Sequence, residues 1–259
     1  MSADEGLRAS GVTVRFGSLT ALDGALLAVP PGTVTGLVGP GGAGKTALLD
    51  VICGLRRPAR GEIRLDGRDL ADAPTHARAR MGVARTFQRP RAFGTLTVRQ
   101  NVRLAAEARA MTRPVAGRTA ADRFRRRRAA VRDAAREADA LLDRVGVAGY
   151  ADAVPARLPP GAVRLMELAR ALATRPRLLL LDDPSAGLPV PESRALEVLL
   201  RDLAAEGLAV LLAERDVERV MGVCDELYVL RSGRTVTSGP PFQVRAALRD
   251  RETAPAAAH

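Results

Sequence analysis

A glycine-rich segment, residues 39–46, has the residue types and the spacing of a phosphate-binding loop. Its sequence GPGGAGKT fits G-x-x-x-x-G-K-[ST], with a predicted strand before it and a predicted helix after it. Glycines let main-chain N–H groups close around phosphate oxygens, and the helix N-terminus adds its positive end. Lys45 is the only lysine, and every other basic side chain apart from the histidines is arginine. Since a compact ammonium fits between the β- and γ-phosphates where a planar guanidinium does not, this pattern predicts a nucleotide site.

A carboxylate at the end of a buried strand supplies the second half of such a site. Four leucines, residues 178–181, precede Asp182. A carboxylate in this place holds Mg²⁺ through water, and the Thr46 hydroxyl is a second oxygen donor. A leucine run before an aspartate is weak evidence alone, but with the phosphate loop upstream it predicts a nucleotide–Mg²⁺ site.

The elements that must position these residues follow from apolar periodicity and turn residues. The opening of the chain is rich in strands, and strands and helices alternate in its second half, which predicts a mostly parallel sheet covered by helices. Asp66-Gly67 and Ser232-Gly233 predict tight turns. Strands are expected near residues 12–16, 25–29, 33–38, 61–65, 81–87, 177–182, 208–213, 226–230 and 235–238, and helices near 45–55, 191–206 and 216–223.

Residues 96–145 have a helical pattern instead. One predicted apolar face carries residues at steps of seven, four, three, four and three, and arginines and acids occupy the other face. Gly146 is expected to end this helix. The face consists of Phe124, Val131, Ala135, Ala138, Leu142 and Val145.

Composition limits the classes of protein. The 259 residues, 47% hydrophobic and 3% aromatic, suffice for one large domain with a core of Leu, Val and Ala. The apolar runs are shorter than a membrane span, and we expect no signal peptide. Cys53 and Cys224 lack metal-ligand spacing and fit a reduced, cytosolic setting.

The net charge is +11, and the basic side chains are scattered along the chain together with 29 acidic residues. We therefore expect a solvated basic surface and no nucleic acid partner, because no aromatic residues interleave the arginines of residues 125–128.

Several further stretches complete a family pattern in order along the chain. They are Phe16, RTFQ ending at Gln88, LPPGAVRLMELARAL from Leu158, LLLLDDPSAGL from Leu178 and YVLRSGRTVTSGPP from Tyr228. With them the chain resembles the ATP-binding subunits of ABC transporters over nearly its whole length. RTFQRPRAFGTLTVRQNV, FRR at Phe124, PSAGLPVPE and ERVMGVCDELYVL resemble the importers of branched-chain and other hydrophobic amino acids most closely.

The resemblance implies an α/β fold, a P-loop NTPase of the ABC ATPase type. It has a mostly parallel core sheet, an N-terminal antiparallel β subdomain and an inserted helical subdomain. The chain would form a single ATP-binding domain: residues 1–89 and 160–245 the nucleotide-binding core, 90–159 the helical subdomain, and 246–259 a tail.

The resemblance also implies roles for residues. Phe16 would stack on adenine, and Gln88 would contact Mg²⁺ and sense the γ-phosphate. Residues 158–162 stand where the family has its signature segment, which completes the ATP site of a partner subunit. The nucleotide-binding residues are Phe16, Gly39, Pro40, Gly41, Gly42, Ala43, Gly44, Lys45, Thr46 and Ala47; the metal ligands are Thr46, Gln88 and Asp182; the signature residues are Leu158, Pro159, Pro160, Gly161 and Ala162.

Assembly follows from the same resemblance. Two such subunits, identical or different, would hold ATP and Mg²⁺ between them, and their closure would drive membrane permease subunits that receive solute from a binding protein. The chain would then lie at the cytoplasmic face of the cell membrane as a peripheral subunit with no membrane span of its own.

Three positions depart from the family pattern and bear on catalysis. Asp183 replaces the glutamate that serves as general base, which sets its oxygens back by roughly 1.5 Å, about one C–C bond. Arg215 replaces a histidine, and it cannot exchange a proton but can hold the γ-phosphate electrostatically. Pro159, Pro160 and Ala162 replace polar and glycine positions of the signature. Asp183, Arg215 and Gln88 are thus the candidate catalytic residues.

Two interpretations remain open at this stage. One is a working transport ATPase whose shorter base makes turnover slow. The other is a regulatory or degenerate subunit that binds nucleotide with little hydrolysis. The transported solute and the choice between homodimer and heterodimer do not follow from the sequence.

Overall fold

The computed structural model describes residues 6–112 and 119–253. Strands dominate up to residue 85, three α-helices follow, and the chain then combines strands and helices from residue 178 on. In chain order the elements are β1 (Leu7–Phe16), β2 (Leu19–Val29), β3 (Val34–Val38), α1 (Lys45–Ile52), β4 (Arg60–Leu65), β5 (Arg68–Asp69), α2 (Thr75–Met81), β6 (Val83–Arg85), α3 (Val98–Thr112), α4 (Ala120–Arg144), α5 (Pro160–Leu172), β7 (Leu178–Asp182), α6 (Val190–Ala205), β8 (Ala209–Glu214), β9 (Glu226–Arg231), β10 (Arg234–Gly239) and α7 (Pro241–Thr253).

The central sheet has the strand order β10-β9-β3-β8-β7-β6 and is parallel except for β10. Every residue of β3, β7 and β8 is buried, which explains their nearly continuous apolar sequences. The leucine run of β7 alternates between two cores. Leu178 and Leu180 pack towards the β subdomain, and Leu179 and Leu181 pack towards the helices. The predicted mostly parallel sheet is confirmed.

A second, antiparallel sheet with the order β2-β1-β4-β5 covers one face of the central sheet. The predicted turns at Asp66-Gly67 and Ser232-Gly233 are both present. Their φ values are 50° and 74° in the first turn and 46° and 78° in the second. Positive φ at both central residues is the requirement of a type I′ hairpin, and glycine meets it without strain.

Helices α3 and α4 pack together and against α5, within the predicted helical region. Ala138, Leu142 and Val145 of the predicted apolar face are buried, and Gly146 has a φ of +80° where the helix ends. The prediction for Phe124 is wrong, because its side chain is 63% exposed. The Arg127 guanidinium reaches the Met111 carbonyl at 2.8 Å, so α3 ends at that level and the first turns of α4 extend beyond it. The subdomain boundaries themselves stay a prediction.

One other local prediction needs correction, and the predicted tail overlaps a helix. Residues 216–223 form turns instead of a helix, with the Asp216 carboxylate accepting the Glu218 N–H at 3.0 Å. The predicted tail, residues 246–259, starts inside α7, which continues to Thr253 and packs on the core through Val244. Residues 254–259 of that tail lie outside the described residues. The sequence patterns did not predict helix α2.

Helix α2 supports the helix that follows the phosphate loop. Arg78 of α2 is 2% exposed, and its guanidinium donates to the carbonyls of Val51 and Ile52 at 2.6 and 3.0 Å and to that of Ala73 at 2.7 Å. The last carbonyls of a helix lack partners within the helix, so this buried cation caps the end of α1.

Across residues 6–112 and 119–253, none of the helices has the length and apolarity that a bilayer crossing requires. Cys53 and Cys224 are both buried and free of disulfide bonds. Burial raises the pKa of the Cys224 thiol above its usual range, which favours an unreactive thiol.

Candidate nucleotide-binding site

The phosphate loop, residues 39–46, joins β3 to α1 under close steric limits. A Cβ at Gly39 would lie 2.2 Å from the Leu230 carbonyl oxygen, and one at Gly44 would lie 2.5 Å from that of Ala21. Gly44 also has a φ of 106°. By contrast, a Cβ at Gly41 would meet no atom within 4 Å. Packing of the main chain therefore requires glycine at Gly39 and Gly44, whereas it sets no such limit at Gly41.

Lys45 opens helix α1 and points its ammonium back along the loop. The Nζ atom donates to the carbonyls of Gly39 at 2.5 Å and Pro40 at 3.0 Å. Burial lowers the pKa of Lys45, and the positive charge of Arg215 lowers it further. The loop thus concentrates one cation and the amino end of a helix in one place, as a triphosphate site requires.

Asp182, at the carboxyl end of β7, lies beside Thr46. The Thr46 hydroxyl donates to Asp182 Oδ2 at 3.3 Å, and the same oxygen accepts a bond from Arg85 at 3.2 Å. Arg85 also pairs with Asp50 at 2.6 Å and has a side chain only 5% exposed. Arg85 therefore fixes the Asp182 carboxylate next to the Thr46 hydroxyl, although the sequence reading missed it.

A cavity of about 310 Å³ brings the two halves of the site together. A larger cavity of about 690 Å³ lies elsewhere, between α4 and the core, and contains neither the phosphate loop nor Asp182. We assign the chemistry to the smaller cavity because it collects the oxygen donors and the loop. It is lined by Gly41, Gly42, Ala43, Gly44, Lys45, Thr46, Ala47, Gln88, Asp182, Asp183, Ala213, Glu214 and Arg215.

Asp183 has an unusual backbone and a fixed position. Its φ is +53°, which costs a residue other than glycine some strain and marks functional sites in many proteins. The Arg164 guanidinium, from α5, donates to the Asp183 carbonyl at 3.1 Å. The Asp183 carboxylate lies 3.8 Å from Arg215 Nε. Both candidate catalytic side chains thus face the same cavity as Gln88.

Glu214, at the end of β8, is a site residue that the sequence reading missed. It is 2% exposed; its Oε1 accepts the Ser185 hydroxyl at 2.6 Å, and its Oε2 has no hydrogen-bond partner among the described residues. Burial raises the pKa of Glu214, and the nearby Asp183 carboxylate raises it further. Its position at the end of a predicted strand could have indicated it. Because β8 is paired in parallel with β7, the carboxyl ends of both strands meet at one edge of the sheet.

Phe16 and the signature residues lie outside this cavity. Phe16 ends β1 with 42% of its surface exposed, and the Arg56 guanidinium lies 3.9 Å from its ring centroid. In the signature segment, residues 158–162, Pro160 begins α5, and a Cβ at Gly161 would lie 2.7 Å from Leu188. The structure therefore brings most predicted nucleotide and metal residues together. It leaves Phe16, Gly39, Pro40, Leu158, Pro159, Pro160, Gly161 and Ala162 away from the cavity surface.

Helix α5 holds the segment that follows Gln88. The Glu167 carboxylate accepts the Arg91 N–H at 2.5 Å, and the Arg170 guanidinium donates to the Arg91 carbonyl at 2.8 Å. Glu167 is buried, and burial raises its pKa. Two side chains one helical turn apart thus clamp both main-chain groups of Arg91, which links the signature helix to the Gln88 segment.

Comparison with known proteins identifies the family. Residues 22–186 match the model of the ABC transporter family. The chain is 38% identical over 240 residues to BraF, the high-affinity branched-chain amino acid transport ATP-binding protein of Pseudomonas aeruginosa, covering 92% of this chain and 93% of BraF. It is 35% identical to LivG of Escherichia coli, whose name has the same wording, over the same shares.

Solved structures agree with this match. The ADP conformation of MJ1267, an ATP-binding cassette of an ABC transporter, superimposes with a TM-score of 0.79 at 25% identity, covering 96% of both chains. The fold class expected from the sequence is confirmed. The chain belongs to the ABC transporter ATP-binding family.

Proposed function

We propose that the chain binds ATP with Mg²⁺ and hydrolyses it to drive import of branched-chain or other hydrophobic amino acids. The observation that carries this proposal is the single cavity lined by Lys45, the phosphate loop, Gln88 and three carboxylates at strand ends, those of Asp182, Asp183 and Glu214. The identity to BraF and LivG over 92% of the chain supports the solute class.

The donor set fits the proposed ligand. Thr46, Asp182 and Gln88 offer hydroxyl, carboxylate and amide oxygens, which are the ligands that Mg²⁺ prefers. Bound there, Mg²⁺ would neutralise charge on the phosphates. The loop amides and Lys45 bind the triphosphate, and the open face of Phe16 supports the adenine while Arg56 covers its other face.

Asp183 is the candidate general base. Its carboxylate accepts a proton from the water that attacks the γ-phosphate, a contribution of about 10² to 10⁴-fold in rate. Arg215, 3.8 Å from that carboxylate, orients it and attracts the γ-phosphate. Glu214 stands behind Asp183, and its burial together with the nearby Asp183 carboxylate raises its pKa, which disfavours a second negative charge beside the base.

The assembly implied by this function is a pair of ATP-binding subunits on two permease subunits at the cytoplasmic face of the membrane. Because residues 158–162 lie off the chain's own cavity, we propose that they complete the ATP site of the second subunit. We place the permease contact near Gln88, and the clamp of Glu167 and Arg170 on Arg91 would carry movement between that contact and the signature segment.

Steady-state phosphate release by the purified chain tests hydrolysis. We expect wild-type turnover above that of Lys45→Ala, and Asp183→Asn should lower kcat about 10²-fold or more while MgATP binding persists. The double variant Asp183→Glu/Arg215→His should raise kcat. A wild-type rate equal to that of Lys45→Ala, with activity only in the double variant, would instead establish a nucleotide-binding subunit with little hydrolysis.

Uptake in cells tests the solute. Cells in which this chain is replaced by its Lys45→Ala variant should lose uptake of labelled leucine, isoleucine and valine relative to cells with the wild-type chain. Unchanged uptake of all three, together with active phosphate release by the purified chain, would overturn the amino acid assignment and leave the ATPase assignment intact.

A further inference from the structure

The exposed start of helix α4 is the most basic surface segment that the proposed function leaves without a role. Residues 119–132 contain six arginines against one aspartate, a net charge of +5. We call residues 119–128 together with the adjacent Met111 the basic tip. It begins where Thr119 caps α4 by accepting the Asp122 N–H at 3.1 Å.

Apolar side chains are exposed within this basic tip. Phe124 is 63% exposed and Met111 is 52% exposed. Phe124 lies on the same apolar face of α4 as the buried residues Ala138 and Leu142. However, α3 ends before it can cover Phe124. The Arg127 bond to the Met111 carbonyl holds the end of α3 against α4, so the two apolar side chains stay at one end of the helix pair.

The arginines surround the helix instead of marking one side. Residues 125–128 follow at about 100° per residue, so their side chains leave the helix on several sides, that of Arg127 towards the end of α3. Arg125 pairs with Asp122 at 2.6 Å, and the Arg128 guanidinium lies 5.9 Å from the Phe124 ring centroid. A groove on a protein partner contacts one face of a helix, whereas a helix end that enters a layer of phosphate groups meets them on all sides.

We propose that the basic tip binds the anionic phospholipid surface of the membrane, with Phe124 at the level of the headgroups and the arginines on lipid phosphates. Guanidinium groups pair with phosphate in a fork geometry, and clusters of basic residues with an exposed aromatic are typical of peripheral membrane contacts. A nucleic acid partner is less well matched, because one phenylalanine offers no series of stacking platforms. This inference goes beyond the proposed function, since vesicle binding and ATP hydrolysis can fail separately.

Sedimentation of the full chain with vesicles tests the proposal without nucleotide. Vesicles of phosphatidylglycerol and phosphatidylcholine should bind the wild type, and vesicles of phosphatidylcholine alone should not. The variant Arg125→Gln/Arg126→Gln/Arg128→Gln should bind about 100-fold more weakly, at about fivefold for each arginine. The matched control Arg60→Gln/Arg68→Gln/Arg80→Gln removes three exposed charges elsewhere and should change binding by less than about fivefold.

Phe124→Ala separates insertion from simple charge attraction. It leaves the charge unchanged and should weaken vesicle binding about 10-fold, because the ring no longer enters the interface. Equal losses in the tip and control variants, equal binding to both kinds of vesicle, or preferential binding of wild type to a DNA duplex at the same salt would each overturn the proposal.

Discussion

The two sides of the cavity are built by different means. On one side, the phosphate loop is shaped by main-chain contacts that leave no space for a Cβ at Gly39 or Gly44. On the other, Asp183, Glu214 and Arg215 are side chains from the ends of two strands, held by hydrogen bonds and charge. A site shaped by its backbone tolerates few substitutions, whereas one shaped by side chains can change its chemistry while the fold persists. We therefore expect the loop side to tolerate fewer substitutions than the side that carries Asp183, Glu214 and Arg215.

The first prediction separates binding from chemistry. Lys45→Ala removes the single ammonium of the loop, and loss of its charge-assisted bonds should weaken MgATP binding about 100-fold or more. Asp183→Asn should alter binding by less than about threefold. Titration calorimetry on the two purified variants measures both. A large loss of affinity in Asp183→Asn would show that the carboxylate side also binds nucleotide and would break the comparison.

A second prediction uses two glycines of the same loop. Gly39→Ala places a methyl group against the Leu230 carbonyl and should lower the free energy of unfolding by about 2 kcal/mol or more. Gly41→Ala has open space and should change it by less than about 0.5 kcal/mol. Urea denaturation of the nucleotide-free chain measures both. Equal effects would mean that the backbone does not shape the loop.

The smallest expected effect concerns Glu214 and pH. Its folded pKa is raised, so between the unfolded and folded pKa values the native chain binds more protons and becomes less stable as pH rises. Glu214→Gln removes this loss and should stabilise the chain by on the order of 1 kcal/mol above the folded pKa. The gain should vanish below the unfolded pKa. Thermal unfolding at several pH values checks this, and a gain that is independent of pH would contradict it.

How well the sequence predicts a feature depends on how far apart in the chain its interacting residues lie. The phosphate loop, its helix and the turn at Ser232-Gly233 depend on neighbouring residues, and their patterns predict them correctly. Glu214, Glu167 and Arg85 act through partners 29 to 97 residues away, so only the packed sheet reveals them. Phe124 fits a helical face, but its exposure depends on where α3 ends. Local sequence patterns therefore predict the phosphate loop better than they predict the side-chain contacts around the catalytic residues.

The position of Lys45 has a practical consequence for chemical labelling. It carries the only aliphatic side-chain amine in the polypeptide, and burial depresses the pKa of that amine, which favours its nucleophilic form. Besides the α-amino group, an acylating reagent would therefore modify one amine, that of Lys45 in the cavity. The extent of acylation, followed by intact mass, would then report directly on how much of the site is occupied.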